Sequence, residues 1–172
     1  GLVHYKKYQG VRLTEEGTLE ALKVIRKHRL WEVFLVSKLK FHWDEVHDVA
    51  EQLEHVASPL LIQRLDEYLG FPKFDPHGDP IPTASGELPP LTGVPLTSME
   101  PGEAGTIVHL GDEPREIFEA MTRAGLSPLM TVRVLETTAG EVRFETSGKE
   151  QVLPAVVARS VTVEPLPDAV IE

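Results

Sequence analysis

The sequence predicts an α+β fold: a short β-hairpin, three amphipathic helices, then a small closed barrel of short strands. Three observations carry this. Apolar residues recur at helical spacing from residue 19 to residue 69. Residues 71–95 then hold Pro72, Pro76, Pro80, Pro82, Pro89, Pro90 and Pro95, a density that no helix survives. Beyond Leu96 the pattern changes to short strands with Gly-containing turns.

Val3, Tyr5, Tyr8, Val11 and Leu13, set among Lys6, Lys7 and Gly10, read as a hairpin turning near Tyr8 to Gly10. Two strands alone are marginally stable, so the hairpin is expected to complete a domain lying upstream. Thr14 followed by Glu15 and Glu16 is a helix start, an N-cap with acids in the first turn. Leu19, Leu22, Ile25, Leu30, Val33 and Phe34 carry that helix to about Leu39. A second helix is expected from about Asp44, with Val46, Val49, Ala50, Leu53 and Val56. Ser58 caps a third, with Leu60, Leu61, Leu65 and Leu69, which ends at Gly70 before Pro72. Strands are expected at 105–110, 130–136, 141–146, 149–153 and 160–165, with one short helix at 114–124. Five such strands suggest the closed barrel.

Composition narrows the functions. There is no cysteine, which excludes a disulfide scaffold, thiolate catalysis and a zinc ribbon, and fits a cytoplasmic protein. No run of about 18 apolar residues offers a membrane span. The formal net charge is −10, yet the first fourteen residues carry +3 from Lys6, Lys7 and Arg12 and the rest −13. Only the hairpin suits contact with phosphate; the acidic remainder suits cations or solvent. No P-loop, dinucleotide fingerprint or Ser-His-Asp set is present.

The second predicted helix carries the chemistry: His47, Glu51, Glu54 and His55. At about 100° per residue they fall at roughly 0°, 40°, −20° and 80°, on one face. The first helix offers His28 and Glu32, also four apart. Facing helices that present His and carboxylate at this spacing are how helical bundles build metal sites. Neutral imidazole and carboxylate suit Mn²⁺, Fe²⁺, Co²⁺, Ni²⁺ and Zn²⁺. A single His/Glu pair is commonly a solvated face, and His28 also lies in a basic group with Arg26, Lys27 and Arg29. His77, between Asp75 and Asp79, reads as a turn residue before a ligand; Trp31 and Trp43 read as core or interface. His4, His42 and His109 show no partners in the sequence.

The 1–17 stretch GLVHYKKYQGVRLTEEG resembles the wing of the diphtheria toxin repressor family of metal-dependent regulators. VIRKHRLWE at 24–32, EVHDVAEQLEHV at 45–56 and DPHGDPIP at 75–82 resemble the same family, in order and with the right gaps. Residues 96–166 are similar, through their strand pattern and the 99–105 motif MEPGEAG, to its C-terminal SH3-like, or FeoA-like, domain. The resemblance implies a wing remnant of a winged helix-turn-helix at 1–14 and a helical metal-binding and dimerisation domain at 15–82. It further implies a Pro-rich linker at 83–95 and the SH3-like barrel at 96–168. It also implies two metal sites. Glu51, Glu54 and His55 match a primary site completed by an upstream domain. His28, Glu32 and His47 match an ancillary site, completed in the barrel by Glu113 and Glu116. Cysteine stands at the position of Glu51 in iron-sensing members and glutamate in manganese-sensing ones, which favours Mn²⁺ over Fe²⁺ as cofactor.

The implied function is a cytoplasmic, metal-dependent transcriptional repressor, not an enzyme, acting as a homodimer. Operator DNA is expected as a partner of the full-length protein only. The hairpin's Lys6 and Lys7 would touch backbone phosphate, which positions a protein without specifying sequence. Two alternatives are a metal-binding accessory module, whose barrel takes a Pro-rich segment such as Leu88-Pro-Pro-Leu91, and a metalloenzyme with an open coordination position.

Overall fold

The computed structural model describes residues 1–6, 10–56, 58–111 and 114–167. They fall into two units: one of Gly1–Pro76 with Pro80–Pro90, the other of His77–Asp79 with the chain from Leu91 onward.

The first unit opens with β1 (Val3–Lys6) and β2 (Gly10–Leu13), antiparallel, with Val3 opposite Leu13 and Lys6 opposite Gly10. Both strands are exposed along their length. The hairpin is anchored where it enters α1 (Glu15–Ser37). Thr14 N–H donates to the Leu2 carbonyl, and the Thr14 hydroxyl accepts from Gly17 N–H as the N-cap. Gly17 is required there, because a Cβ would lie 1.9 Å from the Leu2 carbonyl oxygen.

α3 (Pro59–Leu69) follows its sequence signals closely. Ser58 Oγ accepts from Leu61 N–H, Pro59 occupies the first turn where its missing N–H costs nothing, and Gly70 ends the helix at φ +77°. Leu30 of α1 packs with Ile62 and Leu65 of α3 and with Ile81, all buried. Two arginines of α1 fasten the loop that carries Ile81. Arg26 donates to the Pro82 carbonyl (2.7 Å) and pairs with Asp66 of α3 (2.5 Å), while Arg29 donates to the Pro80 carbonyl (2.5 Å).

α2 (His47–Leu53) is shorter than its periodicity predicts. The expected start near Asp44 is replaced by a turn, because nearby side chains satisfy the local polar groups instead: Glu45 accepts from His42 N–H (2.8 Å) and Asp44 pairs with the His42 ring. The helix begins beyond Val46, which is fully buried with Leu35 and Ala50. It stops at Leu53, so Glu54 is its C-cap and His55 lies in the turn that follows.

The second unit corrects the expected closed barrel. Its six strands form an open antiparallel sheet in the order β3-β8-β4-β5-β6-β7. They are β3 (Val94–Pro95), β4 (Ala104–Leu110), β5 (Thr131–Thr137), β6 (Glu141–Thr146), β7 (Lys149–Pro154) and β8 (Val161–Pro165). Closure would need β3 to pair with β7. β3 has two residues, one of them Pro95 without an N–H, and such a strand sits at an edge. The other edge runs into Pro154 and α5 (Ala155–Ala158), which packs on β6, β7 and the short 3-10 turn Leu96–Ser98. Register shifts between Ile107 and His109 and between Val134 and Glu136 bend β4 and β5. Ile107, Val132, Val134, Val142, Phe144, Val161 and Val163 alternate inward to form the core, with Met121 of α4 (Arg115–Arg123) and Leu126.

Candidate metal centre

α1 is long enough to set His28 and Glu32 one above the other, four residues apart on a single face. That face turns inward: Glu32 is only 2% exposed. α2 packs against α1 and begins with His47, whose first-turn position aims its ring at Glu32. Glu32 Oε1 lies 3.1 Å from His28 Nε2 and 3.7 Å from His47 Nδ1. The two imidazole rings have centroids 4.8 Å apart. One ligand atom from each of His28, Glu32 and His47 lies within 4.8 Å of the others, a spread that a single divalent ion can span.

Glu54 joins from the other end of α2, with Oε2 2.8 Å from His28 Nδ1. Both nitrogens of His28 therefore face carboxylates. Burial pushes its pKa down and is the largest single influence, but the hydrogen bonds and charges of Glu32 and Glu54 together outweigh it, and the net shift is upward. The same contact holds the orientation of the His28 ring.

The remaining sequence candidates divide. Glu51, inside α2, and His55, in the turn after it, are exposed and stand apart from the His28–Glu32–His47 group among the described residues. Glu116 is exposed in the first turn of α4 of the second unit. Glu113 and Lys7 lie outside the described residues; Lys6 is exposed at the end of β1. His77 is buried in the second unit, its ring edge-on to Phe118 (5.6 Å), and His109 stands 3.4 Å from Asp79. Sequence reasoning placed Glu54 on the metal-facing helix but did not find its bond to His28, which depends on how α1 and α2 cross.

Residues 14–83 match the family model described as iron dependent repressor, metal binding and dimerisation domain. The chain is 34% identical to the iron-dependent repressor IdeR of Mycobacterium tuberculosis, over 95% of this chain and 77% of that protein. The chain belongs to the iron-dependent repressor family, that of the diphtheria toxin repressor. A solved manganese-dependent transcriptional repressor in complex with manganese superposes on this family member with a TM-score of 0.81 at 38% identity, covering 96% of this chain and 78% of that one. A probable metal transport system membrane protein of Chlamydia trachomatis is 45% identical over 82 residues, 48% of this chain but only 18% of that protein. Among the described residues no helix of this repressor-family chain is long and apolar enough to cross a membrane.

The raised pKa of His28 has a measurable consequence for this repressor-family chain. An imidazolium whose folded pKa exceeds its unfolded value stabilises the fold fully below the unfolded value of about 6.5 and loses that contribution as pH rises through the folded one. The thermal midpoint of the metal-free chain should therefore fall as pH rises through and above the ordinary imidazole range. His28→Gln should flatten that part of the profile. A profile unchanged by His28→Gln would show that the carboxylates do not hold the proton there.

Proposed function

We propose that the chain is the metal-sensing and dimerising part of a cytoplasmic, metal-dependent transcriptional repressor responding to Mn²⁺ or Fe²⁺. The observation that carries this reading is the convergence of His28, Glu32 and His47 from two helices onto one point, with Glu32 buried. His28 and His47 would give neutral nitrogens and Glu32 a charged oxygen, a donor set suited to first-row divalent ions. The bound ion supplies positive charge and a coordination tie between α1 and α2. Glu54 orients His28. Glu51, Glu54 and His55 would form the primary site once an upstream domain adds its ligands, and Glu113 and Glu116 would complete the ancillary one. Glutamate rather than cysteine at position 51 favours Mn²⁺.

The regulatory step follows from population shift: an ion that binds one arrangement of helices more tightly raises the share of that arrangement. In a two-fold dimer that arrangement sets the spacing of two recognition elements, and a palindromic site is read only at the right spacing. Selective DNA reading belongs in this account to a longer form of the protein, with Lys6 and Lys7 contacting phosphate. The IdeR relative and the manganese-dependent structure named above are repressors, and the donor arrangement needs no substrate pocket to account for it.

Calorimetric titration of the chain with Mn²⁺, and with Fe²⁺ under anaerobic conditions, tests the site. Micromolar binding by at least one ion is expected, weakened tenfold or more by His28→Ala; an absence of binding by either ion overturns the assignment. In a gel-shift assay the chain alone should bind operator DNA weakly and without selectivity.

A further inference from the structure

We infer that a cleft between α1 and α3 binds a small amphipathic carboxylate, with the apolar body along the cleft and the charge at Lys27. The inference does not depend on the cation site: none of His28, Glu32 and His47 lines this cleft.

Leu30 of α1 packs on Ile62 and Leu65 of α3. On the N-terminal side of that contact the two helices leave a cavity of about 700 Å³. Sites for small organic molecules span roughly 300–1,000 Å³ and are mostly apolar, with a few placed polar groups. This wall has that character: Val24 of α1, Val56 before α3, Pro59 and Ile62 within it, and Phe71 just after it. Val24, Val56 and Phe71 are exposed, so apolar surface of the wall stays in water. Phe71 stands at φ +57°, a conformation that bulky side chains rarely adopt. Its N–H donates to the Asp66 carbonyl (3.0 Å), which holds the backbone there and keeps the ring on the cleft wall, 66% exposed. Strain of this kind concentrates at ligand clamps.

Charge selects the ligand. Each carboxylate that lines the cleft already has a cation: Glu20 pairs with Lys23 (2.6 Å), Asp66 with Arg26 (2.5 Å) and Glu67 with Arg64 (2.9 Å). Lys27 also lines it, half-buried, and makes no ion pair or hydrogen bond among the described residues. Its charge is surplus in the cleft, although the chain as a whole carries −10. A partly desolvated ammonium without an acceptor is costly, and an incoming carboxylate supplies the acceptor. Ser58 adds a second donor: its Oγ accepts from Leu61 N–H, which leaves the hydroxyl proton for a ligand oxygen. A polyanion would instead meet Glu20, Asp66 and Glu67. One negative charge on an apolar body is the chemistry that matches the wall.

The test is methyl NMR of the metal-free chain in chelator, titrated with octanoate, decanoate and 1-octanol. Decanoate should bind saturably and shift the Val24, Val56 and Ile62 methyls. Its two further methylenes should make it bind about tenfold more tightly than octanoate. Lys27→Gln should weaken octanoate about fivefold or more, leave 1-octanol within about twofold, and keep the unfolding midpoint near that of wild type. No saturable shift, or shifts only at methyls outside the cleft, overturns the proposal. Equal losses of octanoate and 1-octanol in Lys27→Gln also overturn it, because the lysine would then act on the shape of the cleft and not on charge. If decanoate fails to bind and Val24→Ser turns a dimer into a monomer in sedimentation, a second copy covers the cleft and the proposal falls. Should Lys27→Gln unfold, a nuclear Overhauser effect in wild type decides: contact between the ligand's α-methylene and the Lys27 ε-methylene is expected, and its absence at saturation overturns the assignment.

Discussion

Glu32→Gln is expected to lower the Mn²⁺ affinity of the chain by at least about a hundredfold, beyond what partners outside a coordination shell usually cost. The substitution is nearly isosteric, so the change is one of charge. Glu32 is the common point of the site: its Oε1 faces both His28 and His47, and it is 2% exposed, so water cannot replace it cheaply. The metal-free protein should show a second effect. Glu32 is one of the two carboxylates that hold the His28 proton, so Glu32→Gln should bring the His28 pKa down. The pH-dependent part of stability should shift to lower pH with it. Calorimetry reads the first effect and proton NMR of the imidazole the second. An affinity within a few-fold of wild type would show that Glu32 is not a ligand.

Asp66→Ala is expected to destabilise the helical unit by about 3–5 kcal/mol, the usual cost of removing one partner of a buried ion pair. The pair qualifies as buried, with side-chain exposures of 14% for Arg26 and 12% for Asp66. Arg26 would keep its bond to the Pro82 carbonyl, but its charge would lose its partner. Asp66→Asn keeps an acceptor and should cost less. Urea unfolding followed by helical circular dichroism measures both. A loss under about 1 kcal/mol would mean that solvent screens the pair as it does on a surface.

Where local chemistry decides structure, the sequence was legible. Thr14, Ser58, Pro59 and Gly70 marked the ends of α1 and α3, and the structure uses each of them as a cap or a stop. The start of α2 was not legible, because apolar spacing from Val46 onward does not reveal that Asp44 and Glu45 are engaged with His42. The open edge of the sheet was equally hidden. Strands can be counted from alternation, but whether the first meets the last depends on pairing between distant segments. β3 is two residues long and leaves no pattern to read. The site divides in the same way. His28 and Glu32 are neighbours by helix geometry alone and were found. The bond from Glu54 to His28 arises from packing.

The two arginine straps bear on sequence drift. Arg26 and Arg29 lie one turn apart on α1 and end on the carbonyls of Pro82 and Pro80. A carbonyl is common to every residue, so the loop's half of each strap survives a change of side chain there, provided the backbone keeps its path. The helix's half is not interchangeable: a lysine has neither the planar fork nor the spread of donors that lets Arg26 hold a carbonyl and a carboxylate together. Tolerance to mutation is thus lopsided across one interface, lenient toward the side chains that receive and strict toward the two that reach.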